Sequence, residues 1–101
     1  MTTTTKSFKL VTIICEPVLS SAIIELIKTF GASGFTITDV RGEGSGEKSS
    51  GEVPEQKIKI EVVADLILAN KMMAKIADVY FENYSIIVYS SEISIIRPNK
   101  F

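Results

Sequence analysis

The chain has 101 residues, 46% of them hydrophobic, and a formal net charge of −1 at pH 7. This length and apolar content are enough for one domain with a single core, and without an excess of basic residues the chain lacks the electrostatic footprint of a nucleic-acid-binding protein. It contains no histidine and one cysteine, Cys15. An internal disulfide is therefore excluded, a zinc or copper site is not expected, and no imidazole is available as the base of a serine or cysteine triad.

Targeting and membrane segments are not expected from the sequence. Residues 1–6, Met-Thr-Thr-Thr-Thr-Lys, lack the apolar core of a signal peptide. No apolar stretch approaches the roughly 20 residues that a membrane span needs. Cys15 lies in the apolar run of residues 10–15, which is typical of a buried, inert thiol. Together these features predict a soluble cytoplasmic protein.

The first half of the chain predicts a strand, a helix and a second strand. Residues 8–15 are apolar on both alternating faces, as expected for a strand that is covered on both sides. Pro17 suits a first helical turn, and apolar residues then recur at helical spacing until Gly31 and Gly34 end the helix. The members of that apolar stripe are Leu19, Ile23, Leu26, Ile27 and Phe30. Residues 35–40 alternate as a strand.

The second half of the chain repeats the pattern. Residues 56–63 alternate and should pair with residues 35–40 as a hairpin. The residues expected to point inward are Ile58, Ile60 and Val62, and those expected to point outward are Lys57, Lys59 and Glu61. Residue 64 to about residue 81 returns to helical period, with Asp65 placed to cap the helix. Its apolar stripe consists of Leu68, Met72, Ile76 and Val79. Residues 85–96 form a last strand.

This order of elements predicts an α+β, ferredoxin-like fold, in which two helices cover one face of a four-stranded antiparallel sheet. A single domain at residues 1–101 is expected, with a flexible N-terminus at residues 1–7 and a short C-terminal tail at residues 97–101. The first and last strands are apolar on both faces, so the uncovered sheet face would expose a large apolar patch. The tail is too short to cover it, and self-association of identical subunits in a cyclic arrangement is the expected remedy.

A long polar loop at residues 41–55 is the segment in which function is expected. It contains four of the six glycines and has little to bury, so an external ligand or partner would order it. Glycine-rich backbone with lysine and serine side chains can bind phosphate. However, the pattern G-x-x-x-x-G-K-[ST] is absent, and the loop leads into a strand instead of a helix. A flexible linker and an anion- or nucleotide-binding loop both stay open at this point.

Short motifs spread over residues 9–93 resemble the PII-like signalling superfamily. The most specific are Gly31-Ala32-Ser33-Gly34-Phe35-Thr36-Ile37 and the loop motifs Gly42-Glu43-Gly44-Ser45 and Ser49-Ser50-Gly51. The others are Lys9-Leu10-Val11-Thr12-Ile13-Ile14, Lys59-Ile60-Glu61, Ile76-Ala77-Asp78, Tyr80-Phe81-Glu82-Asn83-Tyr84 and Ser91-Glu92-Ile93. Within the superfamily, the sequence is most similar to SbtB-type regulators of the sodium-dependent bicarbonate symporter of cyanobacteria.

The resemblance implies a homotrimer with a nucleotide in each cleft between subunits and a signalling T-loop at residues 42–55. The implied effectors are adenine nucleotides, namely cyclic AMP, AMP, ADP and ATP, and neither a cofactor nor a metal is implied. The implied partner is an SbtA-type membrane bicarbonate symporter of a carbon-concentrating mechanism. The T-loop would dock on it from the cytoplasm and so recruit the protein peripherally to the membrane.

Site residues follow from the resemblance by position. Ser45, Lys48, Ser49 and Ser50 are predicted to contact phosphate, Asp39 and Arg41 to shape the base of the loop, and the backbone of residues 84–87 to contact the nucleotide base. The complete set of predicted nucleotide-binding residues is Asp39, Arg41, Gly42, Gly44, Ser45, Lys48, Ser49, Ser50, Tyr84, Ser85, Ile86 and Ile87. No catalytic residue is predicted.

The sequence departs from the family pattern in three respects. Gly46 and Lys48 stand near the places of the family's loop arginines, and a lysine offers a point charge where arginine offers a planar fork. A glycine that often follows the Tyr84 region is missing, because Ser85 leads directly into Ile86. The cysteine-bearing C-terminal extension of some SbtB-type proteins is also missing, so the redox control and hydrolysis associated with it are not expected.

Other interpretations are a PII-like regulator of a different transporter and a PII-like sensor of another nucleotide. An enzyme with the same fold is disfavoured, because no general base stands out among the scattered acidic residues. A copper-tolerance-type trimer is disfavoured because histidine and paired thiols are lacking.

Overall fold

The structure, a computed structural model, describes residues 6–43 and 55–101. Its helices and strands follow the chain as β1 (Lys6–Cys15), a 3₁₀ turn (Pro17–Leu19), α1 (Ser20–Thr29), β2 (Thr36–Gly42), β3 (Glu55–Ala64), α2 (Leu66–Tyr80), β4 (Ile87–Ile95) and a second 3₁₀ turn (Pro98–Lys100). The strands form one sheet in the order β2-β3-β1-β4, with every neighbouring pair antiparallel. This confirms the ferredoxin-like fold.

Helix α1 starts later than the sequence suggested and ends where it suggested. Pro17 begins a 3₁₀ turn that precedes α1, a first-turn position that tolerates its fixed φ and missing N–H. At the other end Gly31 has a φ of +90°, a region that glycine enters without steric cost. The N–H of Gly31 donates to the carbonyl of Lys28, and the N–H of Ala32 donates to that of Ile27. This pair of hydrogen bonds is a Schellman motif, which stops the helix.

Helix α2 begins at the predicted cap. The Leu68 N–H donates to Asp65 Oδ1 at 2.8 Å, which satisfies one of the unpaired amides of the first turn. The buried stripe of α2 then continues through Met72 and Ile76 to Tyr80. Val79 was predicted to belong to that stripe, which is wrong, since Val79 is 43% exposed. Counted from Ile76, Tyr80 at i+4 faces the core more directly than Val79 at i+3 does.

The core lies between the helices and one face of the sheet. Fully buried side chains come from the central strands and from both helices, and apolar burial of this kind is the main stabilising contribution. They include Val11, Ile13 and Cys15 of β1, Ile60 and Val62 of β3, Ile23 and Ile27 of α1, and Met72 and Ile76 of α2. Both β1 and β3 therefore supply one alternate set of their side chains to this layer.

The opposite face of the sheet, here called the open face, has no helix on it among the described residues. Apart from Ser91, its β4 side chains are Ile87, Tyr89, Ile93 and Ile95, of which Ile87 and Tyr89 are each 48% exposed. On the helix-covered face, β4 places Val88 opposite Ile13 but Ser90 opposite Val11. The expectation that β4 is apolar on both faces is thus wrong, and its apolar side chains are concentrated on the open face.

The C-terminal tail reaches one end of the open face. The 3₁₀ turn at Pro98–Lys100 brings the Phe101 ring edge-on to the Phe8 ring, with centroids 6.2 Å apart. Phe101 is itself 50% exposed, and Ile87 and Tyr89 lie toward the other end of the strands. The tail therefore leaves these two side chains exposed.

Burial predicts a large difference between two isoleucines that pair across β2 and β3. Ile37 and Ile60 are register partners, but Ile60 is fully buried and Ile37 is 44% exposed. We expect Ile60→Ala to lower the free energy of unfolding by about 2–5 kcal/mol and Ile37→Ala to lower it by about 1 kcal/mol or less. Urea denaturation at one fixed subunit concentration measures both values. Equal losses would contradict the difference in burial between these two side chains.

The pKa of the Cys15 thiol predicts a loss of stability in alkali. Burial raises this pKa from its ordinary value of 9.0, the charge of Lys57 partly opposes the effect, and Glu16 adds to it. The folded thiol keeps its proton at a pH where the unfolded thiol has released it. Its contribution to stability is therefore present below the ordinary pKa and lost as the pH rises toward and through the raised folded value.

We expect the free energy of unfolding to fall more steeply between about pH 8 and pH 10 in the wild type than in Cys15→Ala, which has no thiol to titrate. Denaturation series at several pH values measure the two slopes. Lysines and tyrosines also titrate in alkali, but they are common to both proteins and cancel in the difference. Parallel curves would show that the thiol pKa is not raised.

Candidate ligand-binding cavity

A cavity of about 330 Å³ lies on the open face, at the end of the sheet where β2 leaves and β3 returns. It is lined by Ile14, Val40, Arg41, Gly42, Glu43, Lys57, Lys59, Ser85, Ile87 and Tyr89. Each of the four strands contributes, and Ser85 comes from the connection between α2 and β4. A concave site of this size, with apolar walls and a few polar groups, is typical of a small-molecule site.

Strand register sets the floor of the cavity. Lys59 is paired with Thr38 on one side and with Ile14 on the other, and Ile14 is paired in turn with Ile87. These four side chains form a row across all four strands on the open face. Nearer the loop, Lys57 is paired with Val40. Because β3 alternates, Lys57 and Lys59 project from the same face and bring two ammonium groups to one site.

The charges around the cavity favour an anionic ligand. Arg41, Lys57 and Lys59 are cationic, whereas Glu43 is the one acidic residue among the described residues of the lining. The Lys57 side chain is only 5% exposed, and its Nζ lies 3.9 Å from Oε2 of Glu55. A cation removed from water in this way interacts more strongly with a nearby anion than an exposed one does. Its position between the strands also restricts the directions in which it can donate hydrogen bonds.

The other wall of the cavity is apolar. Ile14, Ile87 and Tyr89 lie beside the cationic groups, and Tyr89 adds an aromatic ring with a hydroxyl group. Ser85 adds a second hydroxyl at the rim. A molecule that combines an anionic group with a flat or apolar group fits this division better than a simple inorganic ion.

The connection from α2 to β4 is anchored by two tyrosines. Tyr80 is buried, and its ring packs edge-on against that of Tyr84 with centroids 5.8 Å apart. The amides of Asn83 and Tyr84 donate to the carbonyl of Tyr80 at 3.3 and 3.0 Å. These contacts fix the residues that precede Ser85, so that Ser85 enters the cavity rim from an ordered turn.

A sequence profile of the family described as "Nitrogen regulatory protein P-II" matches residues 8–100. The chain belongs to the P-II family. A protein of Thermus thermophilus, described as a PII-like signalling protein, has a similar structure with a TM-score of 0.81. Its sequence is 33% identical, and the match covers 96% of this chain and 97% of that one.

The fold is also that of CPII from Thiomonas intermedia. A structure of CPII bound to ADP, AMP and acetate matches with a TM-score of 0.83 and 24% identity, over 97% of each chain. A second structure, bound to ADP and bicarbonate, gives the same score and identity over 99% of each chain. At this identity the likeness concerns the fold that the P-II family shares.

In this P-II-family chain, the structure brings together some of the predicted site residues and separates others. Arg41, Gly42, Ser85 and Ile87 line the cavity. Three others do not line it, namely Asp39, Tyr84 and Ile86. The remaining predicted residues, Gly44, Ser45, Lys48, Ser49 and Ser50, lie outside the described residues. The nucleotide-binding role of the whole set stays a prediction.

Each residue that does not line the cavity has a physical reason for its position. Asp39 is paired with Ile58, whose side chain lies in the core, so alternation turns Asp39 away from the open face. Ile86 is partly buried and packs against the core. Tyr84 is directed toward Tyr80. These three can influence the site through the backbone but do not form its walls.

Sequence reasoning did not include six of the lining residues: Ile14, Val40, Glu43, Lys57, Lys59 and Tyr89. The sequence predicts only that the two lysines point outward from β3, because alternation alone does not tell water from a neighbouring cavity. A usable signal was present in the sequence. Two lysines two residues apart, directly after a glycine-rich loop and on the face predicted to be uncovered, combine charge with an open sheet.

Metal binding has no support in the described ranges. Within residues 6–43 and 55–101, no group of three or more His, Cys, Asp or Glu side chains is arranged to hold a metal ion. None of the helices in these ranges is long and apolar enough to span a membrane.

Proposed function

We propose that the chain is a signalling regulator that binds an adenine nucleotide in the open-face cavity and is not an enzyme. The observation that carries this proposal is the cavity itself, whose lining combines Lys57 and Lys59 of the open face, Arg41 near the end of β2 and an apolar wall. Membership of the P-II family supports it. So does CPII, which has the same fold and has been observed with ADP, AMP and small oxyanions.

The division of the cavity suggests how a nucleotide would lie in it. The phosphates would interact with Arg41, Lys57 and Lys59, since charge-assisted hydrogen bonds are about twice as strong as neutral ones. Ser45, Lys48, Ser49 and Ser50 are proposed to complete the phosphate contacts from the loop. The base would lie toward Ile87 and Tyr89, next to the backbone of residues 84–87.

The assembly we propose is a homotrimer built through the open face. Ile87 and Tyr89 are each about half exposed on a sheet face that neither α1 nor α2 covers. Burying such apolar area against identical copies would stabilise the assembly by roughly 25 cal/mol for each Å² removed from water. A cyclic trimer would also place a neighbouring subunit beside each cavity and so complete its outer wall.

Regulation of a transporter is the finer part of the proposal, and it rests on the motifs shared with SbtB-type proteins. The loop at residues 42–55 would dock on a membrane bicarbonate symporter, and the bound nucleotide would select the docking conformation. A ligand shifts such an equilibrium only by its differential affinity, and about 5.5 kcal/mol is needed for a nearly complete switch. A regulator of another transporter is the second candidate, favoured by Gly46 and Lys48 near the places of the family's loop arginines.

Nucleotide binding is tested by calorimetry with cyclic AMP, AMP, ADP and ATP. We expect saturable heat with at least one of them, and we expect Lys59→Met to weaken that binding about tenfold or more, because a phosphate loses a charged donor worth about 1.5–3 kcal/mol. Lys71→Met is the matched control, since Lys71 is an exposed lysine of α2 that does not line the cavity. The absence of heat with all four nucleotides would refute the proposed function.

The assembly is tested by size-exclusion chromatography with light scattering. We expect three times the chain mass of 11.1 kDa for the wild type. We also expect Ile93→Asp, on the apolar face of β4, to dissociate the trimer because a carboxylate would be buried in the interface. Ile67→Asp is the control, because Ile67 is 69% exposed on the helical side. A monomeric wild type would contradict the proposed assembly.

A further inference from the structure

A carboxylate just outside the cavity lining is paired with one of the cavity's lysines. Glu55, the first residue of β3, has its Oε2 3.9 Å from the Nζ of Lys57. Lys57 lines the cavity, whereas Glu55 is not part of the lining and approaches from the loop side. The side chains differ sharply in exposure, since Lys57 is 5% exposed and Glu55 is 57% exposed. A solvated carboxylate is therefore paired with a fixed, desolvated ammonium group.

Strand geometry explains why these two groups meet. Glu55 and Lys57 are two residues apart on β3, so both project from the open face. Glu55 is paired with Gly42, the last residue of β2, and Lys57 with Val40. Gly42 has no side chain to stand between the strand end and the carboxylate. The ion pair thus lies on the last rungs of the sheet, where the chain enters and leaves the polar loop.

We propose that Glu55 is an internal competitor that occupies Lys57 in the absence of ligand and must be displaced by an incoming oxyanion. The inference rests on the proposed function, because it assigns a regulatory role at the same cavity. The shared ligand chemistry is that of an oxyanion, supplied either by the phosphate of a nucleotide or by a small free anion such as bicarbonate.

The charge balance makes competition the expected relation between Glu55 and such a ligand. Among the described residues the lining has three cations and one anion, and Glu55 cancels part of that excess at its most buried cation. A second anion near Lys57 is repelled by the Glu55 carboxylate as long as that carboxylate stays in place. Because Glu55 is more than half exposed, it can turn into water at little desolvation cost.

The test is a binding series with Glu55→Gln, which keeps the size and polarity of the side chain and removes its charge. We expect this variant to bind ADP about three- to tenfold more tightly than the wild type at low salt, a tenfold gain being about 1.4 kcal/mol. The gain should shrink in about 0.5 M salt, where charges on exposed groups are screened. Adenosine, which carries no phosphate, should bind both proteins equally.

Two further variants separate pairing from a change in net charge. Glu61→Gln makes the same change in net charge on the same strand and the same face, but it lies farther from the loop and outside the cavity lining. We expect it to leave ADP affinity unchanged. When Lys57 is replaced by Met, Glu55→Gln should no longer raise the affinity for ADP, because Glu55 then has no ammonium group to pair with.

Sodium bicarbonate, titrated alone, identifies the source of the oxyanion. A gain for ADP points to the nucleotide phosphate, and a gain for bicarbonate alone points to the small anion; either supports the inference. The inference is overturned if Glu55→Gln binds both anions no more tightly than the wild type does. It is also overturned if Glu55→Gln raises the affinity for adenosine as much as that for the anion, or if it raises anion affinity equally when Lys57 is replaced by Met. If the wild type binds nucleotides and Glu55→Gln changes nothing, the inference fails alone. If the wild type binds none of the four nucleotides, the proposed function fails, and the bicarbonate titration alone decides the inference.

Discussion

The whole arrangement depends on a sheet that is packed on one face only. Both helices lie on the same side, so β1 and β3 bury one alternate set of side chains and leave the other set to the open face. The first set includes Ile13 and Ile60 and supplies most of the apolar burial that stabilises the fold. The second set does not form the core, so charged side chains are tolerated at these positions. The lysines of the cavity are possible at these positions because the core does not need them to be apolar.

The open face combines two properties that soluble domains usually keep apart. Its β4 side is apolar and half exposed, and its β3 side carries ammonium groups, of which that of Lys57 is nearly removed from water. Apolar exposure favours association with another surface, whereas a desolvated cation favours an anion. At the loop end of the sheet, the apolar side chains of β4 and the ammonium groups of β3 line the same cavity. A ligand that has both an apolar part and an anionic part would match both properties. So would an anionic ligand together with the apolar surface of a neighbouring subunit.

Most of the fold was predictable, because hydrophobic period and local capping signals agree along the chain. Asp65 and Gly31 marked the start of α2 and the end of α1 by chemistry that acts within one helical turn. Predictions failed where the outcome depends on tertiary packing. Val79 and Tyr80 differ in burial because of how α2 sits on the sheet, and Pro17 gave a 3₁₀ turn before the helix.

The cavity was only partly predictable for the same reason. Arg41, Gly42, Ser85 and Ile87 are close to the loop or the α2–β4 connection along the chain, so sequence motifs could point to them. Ile14 and Tyr89 come from β1 and β4 and reach the site only through the order of the strands. Lys57 is predicted only to point outward, since a pattern of alternating residues specifies a side of the sheet but not what lies there.

Pairing of Gly42 with Glu55 has a consequence for how such a protein can diversify. The two residues that flank the intervening segment are fixed opposite each other in the sheet, which sets the distance that the segment spans. Its closure entropy grows slowly with length, by only about 0.6 kcal/mol for each doubling. Insertions, deletions or wholesale replacement between these two residues would therefore cost the scaffold little. Such changes would leave the strand residues that line the cavity in place.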